Sequence, residues 1–372
     1  MKFKTSDTSM SLSDKKPVRL HLTNIAGLGA TQLLLSLLPY LEQHADYRLE
    51  EIFLPSRGEL SNYRQSDPHV SLIHYKRYLS NSISRLLECT IFGFHFDGNT
   101  PLLVMGDIPI RCKAKQTVFV QTPLLASEAS IGSSLGALKY HIARYLFRRN
   151  LAYVSNFIVQ TSAMKTALIK TYPNIEGRVH VIAQPPPVWL LTSGLRRSKV
   201  NRSIESGLSL FYPAAVYPHK NHRLLSEIQS NKEKHWPVLE LLLTVPENLN
   251  PNPALSWIKC VDRLQQEGVL KAYADADALL FLSLSESFGF PLVEAMWIGI
   301  PIICPDLPYA KTLCGEIAIY FIPDDVSSLH AAIVELDDRL KAGWWPNWTE
   351  NLKNIPENWA EVADIMLKIT TK

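Results

Sequence analysis

Residues 278–295, ALLFLSLSESFGFPLVEA, contain a strand, a loop and the start of a helix. The apolar run 278–282 predicts a buried strand. Gly289 permits either a backbone conformation that other residues avoid or the close approach of a ligand. Pro291 favours the first turn of a helix, where its missing N–H has no partner to lose. A buried strand that leads directly into a loop and a helix is the repeating unit of parallel α/β sheets.

The loop and the helix start also carry groups that suit a diphosphate. A helix N-terminus attracts anions because its first backbone N–H groups have no partner within the helix. The amides expected to face the carboxyl end of the strand are those of Phe290, Leu292 and Val293. Glu286 lies on the loop and Glu294 in the first helical turn. One carboxylate can therefore reach a ribose hydroxyl pair while the other faces the reacting group.

Short apolar strands alternate with helical stretches along most of the chain. The predicted strands are 18–25, 51–54, 102–105, 118–120, 157–160, 179–182, 208–213, 239–244, 257–261, 278–282, 300–304 and 318–321. Predicted helices include 31–43, 137–150, 223–229 and 358–369. This alternation predicts an α/β fold of two doubly wound, Rossmann-like domains. Ligands of such sheets bind at the carboxyl ends of the strands, so we expect a site in a central cleft between the domains.

A proline-rich break separates the two series of strands. Three consecutive prolines, 185–187, precede the polar stretch 192–206, and segments of this composition mark linkers. We predict a disordered tail (1–16), an N-terminal Rossmann-like domain (17–187), a linker (188–206), a C-terminal Rossmann-like domain (207–345) and a helical tail (346–372) that can pack back on the N-terminal domain.

The composition excludes several classes of protein. Of the 372 residues, 47% are hydrophobic and 20% are charged, which provides for two cores and excludes a disordered chain. No apolar run is long enough to predict a transmembrane helix, and residues 1–16 lack the apolar stretch of a secretory signal. Five cysteines without a Cys-x-x-Cys pair predict buried thiols in a reducing compartment.

The two halves of the chain differ in charge. Residues 1–185 carry 21 basic and 13 acidic side chains, whereas residues 186–372 carry 17 basic and 22 acidic ones. A basic half suits an anionic membrane or a phospholipid-linked substrate, although an ordinary solvated surface has the same composition. The stretch 137–150, with basic residues among apolar ones, can lie on a membrane or pack on its own sheet. Nucleic acid is not predicted, because the basic residues are not interleaved with a run of aromatic ones.

A second strand-to-helix loop, residues 211–222, reads FYPAAVYPHKNH and carries a cation. Lys220 is a mobile point charge that suits a phosphate. When a sugar leaves a nucleotide donor, negative charge grows on the diphosphate. A positioned ammonium and helix-end amides stabilise that charge.

These segments resemble the retaining family 4 glycosyltransferases of the GT-B fold (glycosyl transferases group 1). The resemblance rests on Glu286 and Glu294 with Phe-Gly-Phe-Pro between them. The run 218–222, PHKNH, is similar to the phosphate-contact segment of a bacterial surface-polysaccharide subgroup. The same subgroup is resembled by 106–109 (GDIP), 118–121 (VFVQ) and 157–165 (FIVQTSAMK), so the resemblance covers most of residues 18–372.

The resemblance implies roles for matching residues. Glu286 and Lys220 are implied as the catalytic pair, the first approaching donor-sugar hydroxyls and the second the diphosphate. Glu294 is implied as the ribose ligand. Further donor-binding positions are Phe288, Gly289, Phe290, Pro291, Leu292, Asp262 and Arg263, the last two where the family reads the base. The glycine-rich loop and the acceptor side are implied to include Gly27, Gly29, Asp107 and Gln121.

Two positions depart from the family pattern. Many relatives have an arginine five residues before the lysine, where this chain has Ala215. Phosphate neutralisation then rests more on Lys220, helped by His219 or His222. Relatives often have a histidine after the strand 118–120, where this chain has Gln121, which forms hydrogen bonds but carries no proton.

No metal and no cofactor is predicted. Asp275 and Asp277 have the Asp-x-Asp spacing of a metal site in another glycosyltransferase fold, but they precede a buried strand and fit a helix end. The histidines also lack a metal-ligand spacing. The expected substrate is a nucleotide sugar, and UDP-, GDP- and dTDP-linked donors all stay open.

The resemblance implies a metal-independent, retaining hexosyltransferase in which the leaving phosphate accepts the acceptor's proton on the same face. The implied acceptor is a glycan or lipid-linked glycan of polysaccharide, lipopolysaccharide or O-antigen-type biosynthesis. The expected location is cytoplasmic, at the inner face of the plasma membrane, with peripheral contact to anionic lipid. Two alternatives stay open: a sugar-nucleotide isomerase or hydrolase on the same fold, and a catalytically silent sugar-nucleotide-binding subunit.

Overall fold

The computed structural model describes residues 14–25, 27–76, 81–126, 135–199, 207–229 and 235–372. Residues 1–13 of the predicted tail lie outside this part of the chain, and the first strand already begins at Lys16. Residues 200–206 of the predicted linker also lie outside it, whereas Val188–Thr192 forms a short helix.

The chain divides into two compact units, each built around its own sheet. Unit 1 comprises Met1–Gln184 with Pro356–Lys372, and unit 2 comprises Pro185–Ile355. The strands of unit 1 are β1 (Lys16–His21), β2 (Tyr47–Pro55), β3 (Ser71–Tyr75), β4 (Leu102–Val104), β5 (Gln116–Phe119), β6 (Val154–Val159) and β7 (Val179–Val181). They pair in parallel in the order β3-β2-β1-β4-β5-β6-β7.

Unit 2 has a second parallel sheet. Its strands are β8 (Leu208–Tyr212), β9 (Val238–Leu243), β10 (Ile258–Cys260), β11 (Ala278–Leu280), β12 (Ile302–Pro305) and β13 (Ile319–Phe321). They are ordered β10-β9-β8-β11-β12-β13. Both sheets therefore confirm the predicted α/β fold of two doubly wound, Rossmann-like domains.

Helices accompany both sheets. Unit 1 contains α1 (Leu28–Glu42), α2 (Asn81–Cys89), α3 (Leu135–Asn150), α4 (Ser162–Thr171) and α12 (Trp359–Thr371). Unit 2 contains α5 (Val188–Thr192), α6 (Arg223–Ser226), α7 (Gln266–Asp275), α8 (Phe290–Ile298), α9 (Pro308–Cys314), α10 (Val326–Lys341) and α11 (Thr349–Leu352). Central strands such as β4 and β11 are buried at every residue, as parallel sheets require.

Several elements differ from the sequence prediction, among them β1, which ends at His21 and not at residue 25. The helix predicted over 223–229 ends after Ser226, because the Asn252 amide donates to the carbonyls of Leu225 and Ile228 and so caps the turn. The edge strand β3 was not predicted; none of its residues is fully buried, which leaves only a weak apolar signal.

The C-terminal tail is shared between the units. Residues up to Ile355 belong to unit 2, where the Trp348 indole donates to the Ile300 carbonyl at 3.0 Å. The following helix α12 belongs to unit 1 and packs against α1. Trp359 and Met366 are buried there, so α12 is part of the N-terminal core although the chain has passed through unit 2.

Strand order places a switch point in each sheet. Successive strands run outward on opposite sides from β1 and β4 in unit 1, and from β8 and β11 in unit 2. Loops that follow such strands form the usual ligand crevice of open parallel sheets. In unit 2 these are the loops that contain Lys220 and Glu286.

Candidate active site

The loops after β8 and β11 are fastened to each other by backbone contacts. The His219 carbonyl accepts hydrogen bonds from the Leu284 amide at 2.7 Å and from the Ser283 hydroxyl at 3.1 Å. The Tyr212 hydroxyl donates to the Lys220 carbonyl at 2.6 Å. The two contacts of the His219 carbonyl join the loops to each other, and the Tyr212 contact joins the first loop to its own strand. Both loops are thus fixed at the carboxyl ends of adjacent strands.

Lys220 and Glu286 form an ion pair between the two loops. The Lys220 ammonium donates to a carboxylate oxygen of Glu286. The Lys220 and Glu286 side chains are 18% and 14% exposed, so both are accessible to a ligand without being loosely held. Lys220 Nζ also lies 5.7 Å from the Phe281 ring centroid. The structure thus brings together the two residues predicted as catalytic.

Two histidines flank Lys220, and both favour the neutral form. Burial, reinforced by the Lys220 charge, lowers the pKa of His222 to about 4. The same two causes lower the pKa of His219, against a smaller opposing effect of Glu286. In the chain without a ligand both histidines thus favour the neutral form, and their help in neutralising a phosphate stays a prediction. As Ala215 supplies no charge, Lys220 is the cation of this loop.

The N-terminus of α8 follows the Glu286 loop and has the predicted geometry. Gly289 has φ +94°, and a β-carbon there would lie 3.1 Å from Leu292 Cδ1, so glycine is strongly favoured. Pro291 occupies the first turn. The Leu292 amide donates to the Gly289 carbonyl at 2.9 Å, so this amide is already engaged. Phe288 is buried and packs edge-on against the ring of Phe290, with 5.2 Å between centroids.

Glu294 is buried within α8 and has a partner that the sequence did not indicate. The Tyr273 hydroxyl, from α7, donates to Glu294 Oε2 at 2.7 Å. Burial raises the pKa of Glu294 to about 7, and the hydrogen bond from Tyr273 opposes this rise. A carboxyl group of this kind changes charge near neutral pH.

Asp262 and Arg263 lie apart from the Lys220–Glu286 pair. They follow β10, the edge strand, which β9 separates from β8. Asp262 has φ +57°, its amide donates to the Val245 carbonyl at 2.9 Å, and its carboxylate accepts the Arg263 amide at 2.7 Å. Both side chains are exposed. A ligand that contacts both Lys220 and these two residues must therefore extend across the sheet from the end of β8 to the end of β10.

In unit 1, Asp107 and Gln121 are tied into a turn. Asp107 has φ +66°, and its Oδ1 accepts the amides of Gln121 at 2.6 Å and Thr122 at 3.0 Å. The Gln121 side-chain amide donates to the Met105 carbonyl at 3.0 Å. Burial raises the pKa of Asp107, and the nearby Arg85 charge opposes it. Both side chains thus have a structural task at the ends of β4 and β5.

The glycine-rich loop after β1 has open space around it. Gly27 precedes α1 and accepts the Thr31 amide at 2.9 Å, and Gly29 lies in the first helical turn. A β-carbon at either position would meet nothing within 4 Å. Packing therefore does not require glycine at either position, and their part in binding a ligand stays a prediction.

A buried polar cluster below this loop was not predicted. His21, the last residue of β1, has Nε2 2.8 Å from Glu88 Oε1 of α2, and both side chains are fully buried. The Thr23 hydroxyl also donates to Glu88. A lone histidine at the end of an apolar strand was the only sequence signal.

The described ranges contain neither a cluster of side chains that could hold a metal ion nor a helix that could span a membrane. There, no group of three or more His, Cys, Asp or Glu side chains is arranged to hold a metal ion. Asp275 ends α7, and buried Asp277 accepts the Ser209 amide at 2.8 Å, so Asp277 has a structural partner. All five cysteines are free thiols, and four are buried. In the same ranges, no helix has the length and apolar character needed to cross a bilayer.

Comparisons with known proteins agree with the fold. The family model of glycosyl transferases group 1 matches residues 215–338. The serotype-specific mannosyltransferase WbdA of Escherichia coli is 29% identical over 138 residues, which are 36% of this chain and 16% of that protein. The O-antigen chain mannosyltransferase RfbU of Salmonella typhimurium is 32% identical over 93 residues, 23% of this chain and 26% of that one. The chain thus matches only about a sixth to a quarter of these relatives' length.

Solved structures match nearly the whole chain. The sucrose-phosphate synthase of Thermosynechococcus elongatus has a TM-score of 0.65 at 15% identity, covering 95% of this chain and 98% of that one. WaaG, a glycosyltransferase involved in lipopolysaccharide biosynthesis, has a TM-score of 0.60 at 13% identity, covering 94% and 99%. At this identity the likeness shows the fold, and the fold of this chain is of the GT-B type.

Proposed function

We propose that this chain is a glycosyltransferase that moves a sugar from a nucleotide donor to a hydroxyl of a glycan or lipid-linked glycan. One observation carries the proposal: the Lys220–Glu286 pair joins the two loops at the switch point of unit 2, and the Glu286 loop leads into the N-terminus of α8. The family match over 215–338 contains both residues and Glu294. The names of two relatives, both O-antigen chain mannosyltransferases, support a surface-polysaccharide acceptor. A location at the inner face of a bacterial plasma membrane is part of the proposal.

The donor diphosphate is proposed to bind between Lys220 and the start of α8. Because the Leu292 amide already donates to Gly289, the charge of the leaving group falls mainly on Lys220 and the remaining amides of the first turn. Lys220 then exchanges part of its contact with Glu286 for phosphate oxygens. This frees Glu286 to accept a hydrogen bond from a hydroxyl of the donor sugar. Transfer without a metal ion is part of the proposal, with Lys220 and the helix-end amides stabilising the charge of the leaving diphosphate.

The reaction proposed retains the anomeric configuration. The bond between the anomeric carbon and the phosphate oxygen breaks, and the acceptor oxygen bonds to the same face of the sugar. The acceptor's proton passes to the departing phosphate oxygen. Glu294, buried beside Tyr273, is proposed to accept the ribose hydroxyls.

A transfer assay with matched variants tests this proposal. Since the named relatives are mannosyltransferases, GDP-mannose is the first donor to try, followed by UDP- and dTDP-sugars, with oligosaccharide and lipid-linked acceptors. We expect Lys220→Ala to lower kcat by roughly 10²–10³-fold, as loss of one charge-stabilising group does. Glu294→Ala should mainly raise the donor Kd. The control is Lys353→Ala, which removes an exposed lysine of unit 2.

Wild-type rates in both variants would contradict the site assignment. Donor turnover that is equally fast without acceptor would instead identify a hydrolase or isomerase. Nucleotide binding without turnover of any acceptor would identify a silent binding subunit. Two observations favour this alternative: the Gln121 side chain is already bonded to the Met105 carbonyl, and Ala215 carries no charge.

A further inference from the structure

The short 3-10 helix Ile91–Phe96, which follows α2, presents apolar side chains to solvent. Ile91 is 67% exposed and Phe94 57% exposed, and Phe92 is exposed as well. Of the fourteen exposed large apolar side chains in the described ranges, seven lie between residues 83 and 153. Unit 1 thus concentrates exposed apolar area in one stretch of the chain, which is unusual for a surface without a partner.

This segment is held rigidly although its apolar side chains point outward. Phe96 is fully buried, and the Arg19 guanidinium donates to the carbonyls of Phe96 at 2.9 Å and Asp97 at 3.1 Å. Gly93 is packed so closely on the Arg111 backbone that a β-carbon would clash with it. The exposure of Ile91, Phe92 and Phe94 is therefore a fixed feature of the fold.

Contacts connect this segment to the C-terminal end of α3. The Asn150 side-chain amide donates to the carbonyls of Cys89 and Pro109, each at 2.8 Å. Arg111 Nε donates to the Tyr153 hydroxyl at 3.0 Å. On α3, Tyr145 (61% exposed) and Arg149 are four residues apart and so lie on one face. We call Ile91, Phe92, Phe94, Tyr145, Arg149 and Tyr153 the aromatic–basic surface.

The charges around this surface are predominantly positive. Arg111, Lys113, Arg148 and Arg149 are exposed. Among the nearby carboxylates, Glu88 is fully buried against His21, and Asp107 accepts the Gln121 and Thr122 amides. Asp97 is half-buried and accepts the Lys113 amide at 2.6 Å. Aromatic side chains beside arginine and lysine are typical of surfaces that lie in the headgroup region of an anionic bilayer.

We propose that the aromatic–basic surface docks unit 1 onto an anionic phospholipid bilayer. Ile91, Phe92 and Phe94 enter the headgroup–acyl boundary, and Arg148 and Arg149 contact lipid phosphates. This extends the membrane contact expected for 137–150 to a segment whose role the sequence did not indicate. The inference rests on the proposed function, because docking would bring the enzyme to a lipid-linked acceptor.

Vesicle flotation of the full chain tests the docking without turnover. The probes are vesicles of phosphatidylcholine alone and of phosphatidylcholine with about a third phosphatidylglycerol. We expect binding to the anionic vesicles, at least tenfold weaker in Ile91→Ser/Phe92→Ser/Phe94→Ser and in Arg148→Glu/Arg149→Glu. The matched controls, Leu239→Ser/Ile322→Ser and Arg339→Glu/Lys353→Glu, change exposed residues of unit 2 and should bind as the wild type does.

Folding and nucleotide binding of each variant are measured in parallel, so failure of docking is distinguishable from failure of the proposed function. Absence of vesicle binding, equal binding to both vesicle types, or equal losses in the controls would each overturn the proposal. Self-association that the aromatic variant abolishes, without vesicle binding, would assign the surface to a second copy of the chain and overturn it as well.

Discussion

Glu294 is the residue whose charge state should control donor binding. Burial raises its pKa to about 7, while Tyr273 stabilises the charged form. A carboxylate accepts ribose hydroxyls more strongly than a carboxylic acid does. We therefore expect nucleotide affinity to fall as pH drops through about 7 and Tyr273→Phe to move this midpoint upward, both measured by titration calorimetry. Tyr320→Phe removes a hydroxyl bonded to the Gly315 carbonyl and is the control; a pH-independent affinity would contradict the assignment.

The same carboxyl group should make stability depend on pH. Its pKa is about 7 in the folded chain against a reference value of 4.5, so the folded chain binds the proton more tightly. Its favourable contribution is therefore present at low pH and is lost as pH rises from about 4.5 to about 7, by at most roughly 3 kcal/mol. Glu294→Gln, which stays uncharged, should remove this part of the pH dependence in urea unfolding. An unchanged slope in Glu294→Gln would show that the group is not buried as described.

At the residue level, the sequence indicated which side chains lie in the candidate site but not all of their contacts. Lys220, Glu286 and Glu294 follow apolar strands, which is a local signal. The ion pair joins residues 66 positions apart and depends on β8 lying next to β11. Tyr273 could not be identified because its contact depends on how α7 packs beside α8. The neutral state of His222 likewise follows from burial that only the folded chain shows.

Among the elements of unit 2, α8 depends on one backbone conformation. Gly289 has φ +94° directly before the helix. We expect Gly289→Ala to lower the free energy of unfolding by roughly 1–3 kcal/mol, since a side chain at positive φ is strained and its β-carbon would crowd Leu292. Donor affinity should fall too, because the helix start shifts. Gly343 also has a positive φ (+82°), but nothing lies within 4 Å of a β-carbon there. Gly343→Ala therefore shows the effect of backbone strain without crowding. Equal donor affinities in Gly289→Ala and Gly343→Ala would contradict the role of α8 in donor binding.

The first turn of α1 allows the opposite test. Nothing lies within 4 Å of a β-carbon at Gly29, and alanine favours a helix over glycine by roughly 0.5–1 kcal/mol. We therefore expect Gly29→Ala to leave the melting temperature unchanged or slightly higher. If this loop lies against substrate, the same variant should transfer sugar at least several-fold more slowly. Unchanged transfer would indicate that the glycine has no part in binding.

Helices and strands could be predicted from the sequence where all of their side chains, or those of one face, are buried. The fully buried strands β4 and β11 appear as apolar runs, and the predicted ranges contain them. The edge strand β3 alternates only weakly, and the short α6 is ended by a side chain from residue 252, far along the chain. The first miss follows from the partial exposure of β3, and the second from a long-range contact that local periodicity does not record.

For the whole molecule, sequence similarity and fold similarity cover different parts. The family match lies within residues 215–338 of unit 2, whereas the structural matches cover 94% or more of the chain. The donor side of the proposed reaction therefore rests on residue-level similarity. The acceptor side of the proposal rests on the charge of unit 1 and on its aromatic–basic surface. This division explains why the acceptor assignments Asp107 and Gln121 remain predictions while structural tasks account for their observed contacts.

The return of the chain from unit 2 to unit 1 has a consequence for stability. Trp359 is 1% exposed in α12, which packs on α1 within unit 1. Replacing a buried tryptophan by alanine costs about 3–5 kcal/mol. We therefore expect Trp359→Ala to lower the melting temperature of unit 1 by many degrees in calorimetry, while nucleotide still stabilises unit 2. Lys368→Ala, an exposed change on the same helix, should have little effect, and equal melting of both variants would show that α12 is dispensable for unit 1.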